Sequence, residues 1–112
     1  MRNVTRNTLL GHAIAVANTS AARNKGLLKQ SGLAAGHGLW LVPCEGIHTF
    51  FMKFAIDLVY IDRKKRVRKV VRQVTPWRLS LCLSAHSVIE LSAGAVDESL
   101  TQPGDQLEFV AA

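Results

Sequence analysis

Apolar and polar positions along this chain fall into short blocks separated by turn-forming residues, a spacing that predicts many short strands rather than long helices. "HAIAVA" at 12–17 opens the series. "LWLV", "IHTFFM", "IDLVYI", "RVRKVVRQV", "LSLCL" and "HSVIEL" continue it, each rich in β-branched, leucine or aromatic side chains. A last block, "QLEFVA" at 106–111, follows the turn signal "QPGD". Two places break the strand pattern. Thr19 or Ser20 can cap a helix over "AARNKGLLKQ" (21–30), weakened by about 1 kcal/mol at Gly26, and "AGAVDESL" predicts one brief helical turn. The expected fold is therefore mainly β with two short helices, an α+β single domain over residues 1–112. Its sheet closes part-way into a small β-barrel or curves strongly, with antiparallel or mixed pairing.

Side-chain parity sharpens the middle of the chain, because successive residues of a strand point to opposite faces. In "IHTFFM", Ile47, Thr49 and Phe51 share one face and His48, Phe50 and Met52 the other. In "IDLVYI", Asp57 shares a face with Val59 and Ile61. Both strands are apolar on both sides, so His48 and Asp57 read as polar insertions into an interior. A buried carboxylate needs donors, so Asp57 takes backbone amides from a neighbouring loop or the ammonium of Lys53. The functional alternative is that His48, Thr49, Lys53 and Asp57 line a pocket for a small polar ligand, with Trp77 as a wall. Trp77 in "TPWR" reads more readily as a core plug than as that wall.

Composition and charge narrow the classes. The chain has 112 residues, 48% hydrophobic, enough for one buried core, and no apolar run long enough for a transmembrane helix. Its net charge of +6 permits anionic ligands. Eight of the 14 cations lie between Arg63 and Arg78, with no acid among them. Arg66, Arg68 and Arg72 share a strand parity there and form a weak anion or phosphate patch. Charge guarding an edge strand explains the run better, and nucleic acid is disfavoured because aromatic platforms are missing apart from Trp77. The two cysteines are too few for a disulfide framework. Free thiols in the cytoplasm are the expectation, with export as the alternative because Arg2 and Arg6 precede an apolar stretch that Gly11 and His12 interrupt.

The same motifs resemble a family. "RNKGLL", "GLWLVP", "IHTFFMKFAIDLVYID", "VIELSAG" and "GDQLEF" occur in the order seen in the bacterial and archaeal proteins grouped as domain of unknown function 192, covering residues 12–110. The resemblance implies a small β-rich domain and no particular reaction. Leu28, Ala55 and Lys65 depart from it, standing where methionine, proline and glycine are common in the family. At Lys65, in the "DRKKRV" hairpin, a left-handed turn position costs a lysine roughly 1 kcal/mol that glycine escapes.

Specific chemistries find little support. Cys44-x3-His48 and Cys82-x3-His86 supply zinc ligand types, but residues i and i+4 of a strand lie about 13 Å apart, too far for one metal unless a bend intervenes. Cys44 with His48 could form a nucleophile–imidazole pair for a small hydrolase, yet no strained serine elbow, phosphate loop or cofactor motif accompanies it. The favoured function is a binding module for a small polar ligand or an extended partner segment near residues 44–57, without a cofactor. A structural or protein-interaction module is the alternative.

Overall fold

A computed structural model describes residues 1–109. The strands are β1 (Arg2–Asn3), β2 (Thr8–Leu9), β3 (Ala13–Ala17), β4 (His37–Leu41), β5 (Gly46–His48), β6 (Ile56–Ile61), β7 (Val67–Val74), β8 (Leu79–Leu81), β9 (Ser87–Ser92) and β10 (Leu107–Glu108). The helices are α1 (Ser20–Lys25) and α2 (Ala95–Glu98). Residues 110 and 111 of the expected closing strand lie outside the described residues.

The sheets do not close. A five-stranded sheet has the order β3-β4-β9-β6-β7, with β3 and β4 parallel and the other pairs antiparallel; β10-β1-β2 and β5-β8 form two small separate sheets. The β-barrel expectation is corrected accordingly. Closure would need β7 to pair with a further strand, whereas β7 carries exposed Arg68, Lys69 and Arg72 and two register shifts against β6. Charge and bulges are features that end a sheet.

β6 and β9 lie at the centre. Every residue of β6 is buried, and its alternation feeds two cores. Val59 and Ile61 join Ile89, Leu91, Leu10, Val96 and Leu107 on one side. Leu58 and Tyr60 join Val88, Leu27, Leu41 and Met52 on the other, beneath α1. Each such side chain contributes roughly 1.5–3 kcal/mol on burial. α1 begins where Thr19 accepts a hydrogen bond from the Ala22 amide at 3.1 Å. It stops sooner than the expected 21–30 because Gly26 turns to φ 46, outside the helical region.

Asp57 ties three elements together. It is fully buried, and its carboxylate accepts from the amides of Gln73 (2.8 Å), Gly94 (3.1 Å) and Val96 (2.9 Å). Gln73 sits in the β7 bulge, where Ile56 pairs with Val74 but Leu58 with Val71. Gly94 and Val96 start α2, whose N-cap has no side-chain acceptor of its own. Asp57 therefore caps a helix and fills a bulge from a third element, a role normally given to a local Ser, Thr or Asp. Lys53, the other proposed donor, is exposed and takes no part.

Residues 1–10 pack against the fold. Met1 and Leu10 are buried in the first core. Asn3 donates to Asp105 Oδ2 (3.0 Å) and to Thr101 Oγ1 (3.1 Å), and Arg6 pairs with Asp105 at 3.2 Å. Burial pushes the Asp105 carboxyl up, but these hydrogen bonds and that of the Gln102 amide outweigh it and hold the group below the usual carboxylate value.

The hairpin after β6 places Lys65 at φ 63, the left-handed position that the family resemblance implies. Its ammonium lies 5.7 Å from the centre of the Trp40 ring.

Two outcomes are expected. Asp57→Ala strands three amide donors and lowers unfolding free energy by about 3 kcal/mol in urea denaturation; a loss under 1 kcal/mol contradicts the capping role. Lys65→Gly relieves φ strain but gives up the cation–π contact and frees the unfolded chain, so stability stays within about 0.5 kcal/mol of wild type. A drop of several degrees in Tm means the turn depends on the lysine itself.

Candidate functional site

A cavity of about 430 Å³ opens between α1, the end of β4, β5 and β9. Leu27, Leu41, Ile47 and Met52 give it apolar walls; Glu90 and Cys44 are its inner polar groups, and Arg23, Lys25 and His48 line it as well. Local sequence explains each placement. β9 alternation turns Ile89 and Leu91 into the first core and Val88 into the second, so Glu90 has the parity of Val88 and projects beneath α1. Gly26 ends α1 at the cavity edge. A methyl group added there would lie 3.6 Å from the Arg23 carbonyl oxygen and 3.7 Å from Glu90 Oε1.

Glu90 is the exceptional group. It is only 4% exposed, and among the described residues no donor reaches its carboxyl group. No fully enclosed side-chain oxygen or nitrogen there lacks a partner, so the Glu90 oxygens keep their access to solvent through the cavity. Burial pushes its pKa up to about 7. Burial also pushes the Cys44 thiol up. Its Sγ–H donates to the Gly46 carbonyl at 3.0 Å, so the arrangement holds a protonated thiol rather than a thiolate. The Arg23 guanidinium is committed elsewhere, donating to the Val42 carbonyl (3.0 Å) and to Ser20 Oγ (3.4 Å).

The residues inferred from the sequence are not all brought together. His48 lines the cavity and is exposed; its ring stacks on Phe50 at 5.0 Å, and Phe50 stacks on Trp77 at 5.8 Å. Trp77 is 57% exposed, so it is not a core plug. Thr49 is buried away from the cavity, where its hydroxyl donates to the Thr75 carbonyl (2.7 Å) and accepts from the Arg78 amide (2.9 Å). "IHTFFM" is strand only as far as His48. Phe51 turns to φ 67, which cancels the parity assigned to residues 49–52.

Asp57 lies on the opposite face of the sheet from Glu90, and Lys53 is exposed away from the cavity. Arg66, Arg68 and Arg72 do not form one free surface: they engage Gly104 O (2.8 Å), Ser84 Oγ (3.5 Å) and Asp97 (2.6 Å) respectively. Cys44 and Cys82 are free and both pack against the second core. Among the described residues, no three His, Cys, Asp or Glu side chains are placed to share a metal ion. No helix among them is long and apolar enough to cross a membrane.

Comparison with known proteins agrees with this architecture. The model of the DUF192 family, described as "Uncharacterized ACR", matches residues 2–109. The chain belongs to the DUF192 family. A UPF0127 protein of Thermococcus sibiricus is 26% identical over 113 aligned residues, which span 96% of this chain and 72% of the relative. Two crystal structures share the fold. A protein of unknown function from Novosphingobium aromaticivorans superposes with a TM-score of 0.77 at 20% identity, over 86% of this chain and 74% of its own. A Sinorhizobium meliloti protein described as a candidate transcription regulator gives 0.78 at 22%, over 85% and 79%.

Glu90 carries the same sequence signal as Asp57, a lone carboxylate inside the apolar strand "HSVIEL", but no motif surrounds it. Its raised pKa has a definite consequence for stability. The native state binds a proton that the unfolded chain releases between the ordinary glutamate value and about 7, so Glu90 makes stability fall as pH rises across that window and level off above it. Glu90→Gln removes this slope and is more stable than wild type at pH 8, by on the order of 3 kcal/mol at most. Urea denaturation of both proteins from pH 5 to 8 measures it; parallel curves contradict a buried, unpartnered carboxyl.

Proposed function

We propose that this DUF192 protein is a binding module for a small polar ligand held in the cavity above Glu90, beside the 44–57 stretch. The observation that supports this most strongly is the buried carboxyl group with no protein donor, opening into an apolar-walled space. Burial without a protein donor penalises the ionised form of a carboxyl group, and a guest with hydrogen-bond donors relieves that penalty. The apolar walls contribute burial of the guest, Glu90 fixes its orientation, and His48, stacked on Phe50, lines the cavity from β5. A volume near 430 Å³ suits a small metabolite rather than a folded partner. Thr49 serves this site indirectly, by fixing the turn that follows β5, whereas Asp57 organises β7 and α2 on the other face of the sheet.

Fragments of four to eight heavy atoms, covering amines, alcohols, amides and carboxylates, test this by amide chemical shifts. Perturbations are expected at residues 23–28, 41–48, 52 and 90. His48→Ala, a change at an exposed position, costs under about 1.5 kcal/mol in stability while weakening whichever fragment binds. Shifts scattered over the surface, or confined to residues away from the cavity, contradict the proposal.

A further inference from the structure

We infer that the ligand enters the cavity amine first, and that Glu90 with the Arg23 carbonyl forms an ammonium-binding pair. This rests on the cavity being the ligand site. The cavity wall near the Gly26 Cα presents two acceptors: Glu90 Oε1 and the Arg23 carbonyl oxygen each lie within 4 Å of the point where a Gly26 side chain would begin. An ammonium carries three donors and no acceptor, the complement of that surface. Glycine at 26 leaves the space in which such a group would sit, and Leu27, Leu41, Ile47 and Met52 offer an alkyl chain its walls.

The groups facing Glu90 favour a cation from outside over one from the protein. From α1 and its following turn come Arg23, tied to Val42 and Ser20, and Lys25, exposed on the helix surface. After β4 comes the Cys44 thiol, which points its hydrogen at Gly46. β5 supplies His48, which is exposed, and β6 supplies the Tyr60 hydroxyl, which donates to Ser80 Oγ at 2.9 Å. Among the described residues, Glu90 is the one acid lining the cavity. A carboxylate ligand would meet Glu90 with like charge. An alcohol or amide would leave part of the acceptor surface unfilled.

Because the carboxyl titrates near neutrality, ammonium binding is proton-linked. Glu90 must ionise to pair with the cation, so affinity rises with pH through about 7. A simple alkylamine stays protonated throughout, as lysine does.

The test titrates n-butylamine, 1-butanol, butyramide and butyrate into the full chain, following amide shifts at pH 6 and pH 8. Butylamine is expected to perturb residues 23–27, 41–48 and 90 more tightly than the other three, with a Kd about tenfold lower at pH 8 than at pH 6. Glu90→Gln, checked for a native amide spectrum, should weaken butylamine at least tenfold and remove the pH dependence. The wild-type pH comparison stands even where that variant fails to fold. Binding of butanol, butyramide or butyrate at the same residues, equal to or tighter than butylamine, overturns the amine inference and leaves the ligand site intact. No perturbation of these residues by any of the four overturns both.

Discussion

The fully buried carboxylate of Asp57 is the interaction on which the arrangement of this protein most depends. Three backbone amides from the β7 bulge and the start of α2 converge on it, and among the described residues no other side chain caps the N-terminus of α2. β6 thereby fixes an irregular edge strand and a four-residue helix too short to persist alone. A buried anion is tolerable on these terms because its oxygens are matched by donors that themselves need acceptors.

Glu90 is the counterexample on the adjacent strand. Asp57 and Glu90 occupy neighbouring central strands, near each other in the order of the sheet, but on opposite faces. One face gives its carboxylate three amides; the other gives Glu90 apolar neighbours and an opening to solvent. Similar burial thus has two consequences. The satisfied carboxylate organises the fold, and the unsatisfied one carries a raised pKa and an open hydrogen-bonding capacity. Thr49 and Asp105 belong with Asp57 in this division, since each is buried with its polar atoms fully engaged.

Much of this was legible in the sequence where periodicity is strong. The double-sided burial of "IDLVYI", the amide-bound Asp57 and the charged edge strand β7 follow from residue type and parity, and the left-handed turn at Lys65 from the family resemblance. The failures have local causes. "IHTFFM" looks like one strand because its side chains suit one, yet Thr49 finds hydrogen bonds at Thr75 and Arg78 that break the strand after His48. The hairpin over residues 2–9 is not legible in the sequence, because strands of two residues leave no periodic signal and depend on pairing with β10 at the far end of the chain. Sheet closure was over-read, since bulges and crossing strands are properties of three-dimensional pairing rather than of composition. Parity applied to "HSVIEL" would have flagged Glu90, but only the fold reveals that α1 and Gly26 leave a space above it.

The central claim is that Glu90, rather than Asp57 or His48, is the chemically available group of this protein. Its direct test is the pH titration of the Glu90 side-chain carboxyl carbon by NMR in the free protein. A midpoint close to 7 is expected. A midpoint near the ordinary glutamate value of 4.5 would show a solvated or partnered carboxylate, and would contradict it.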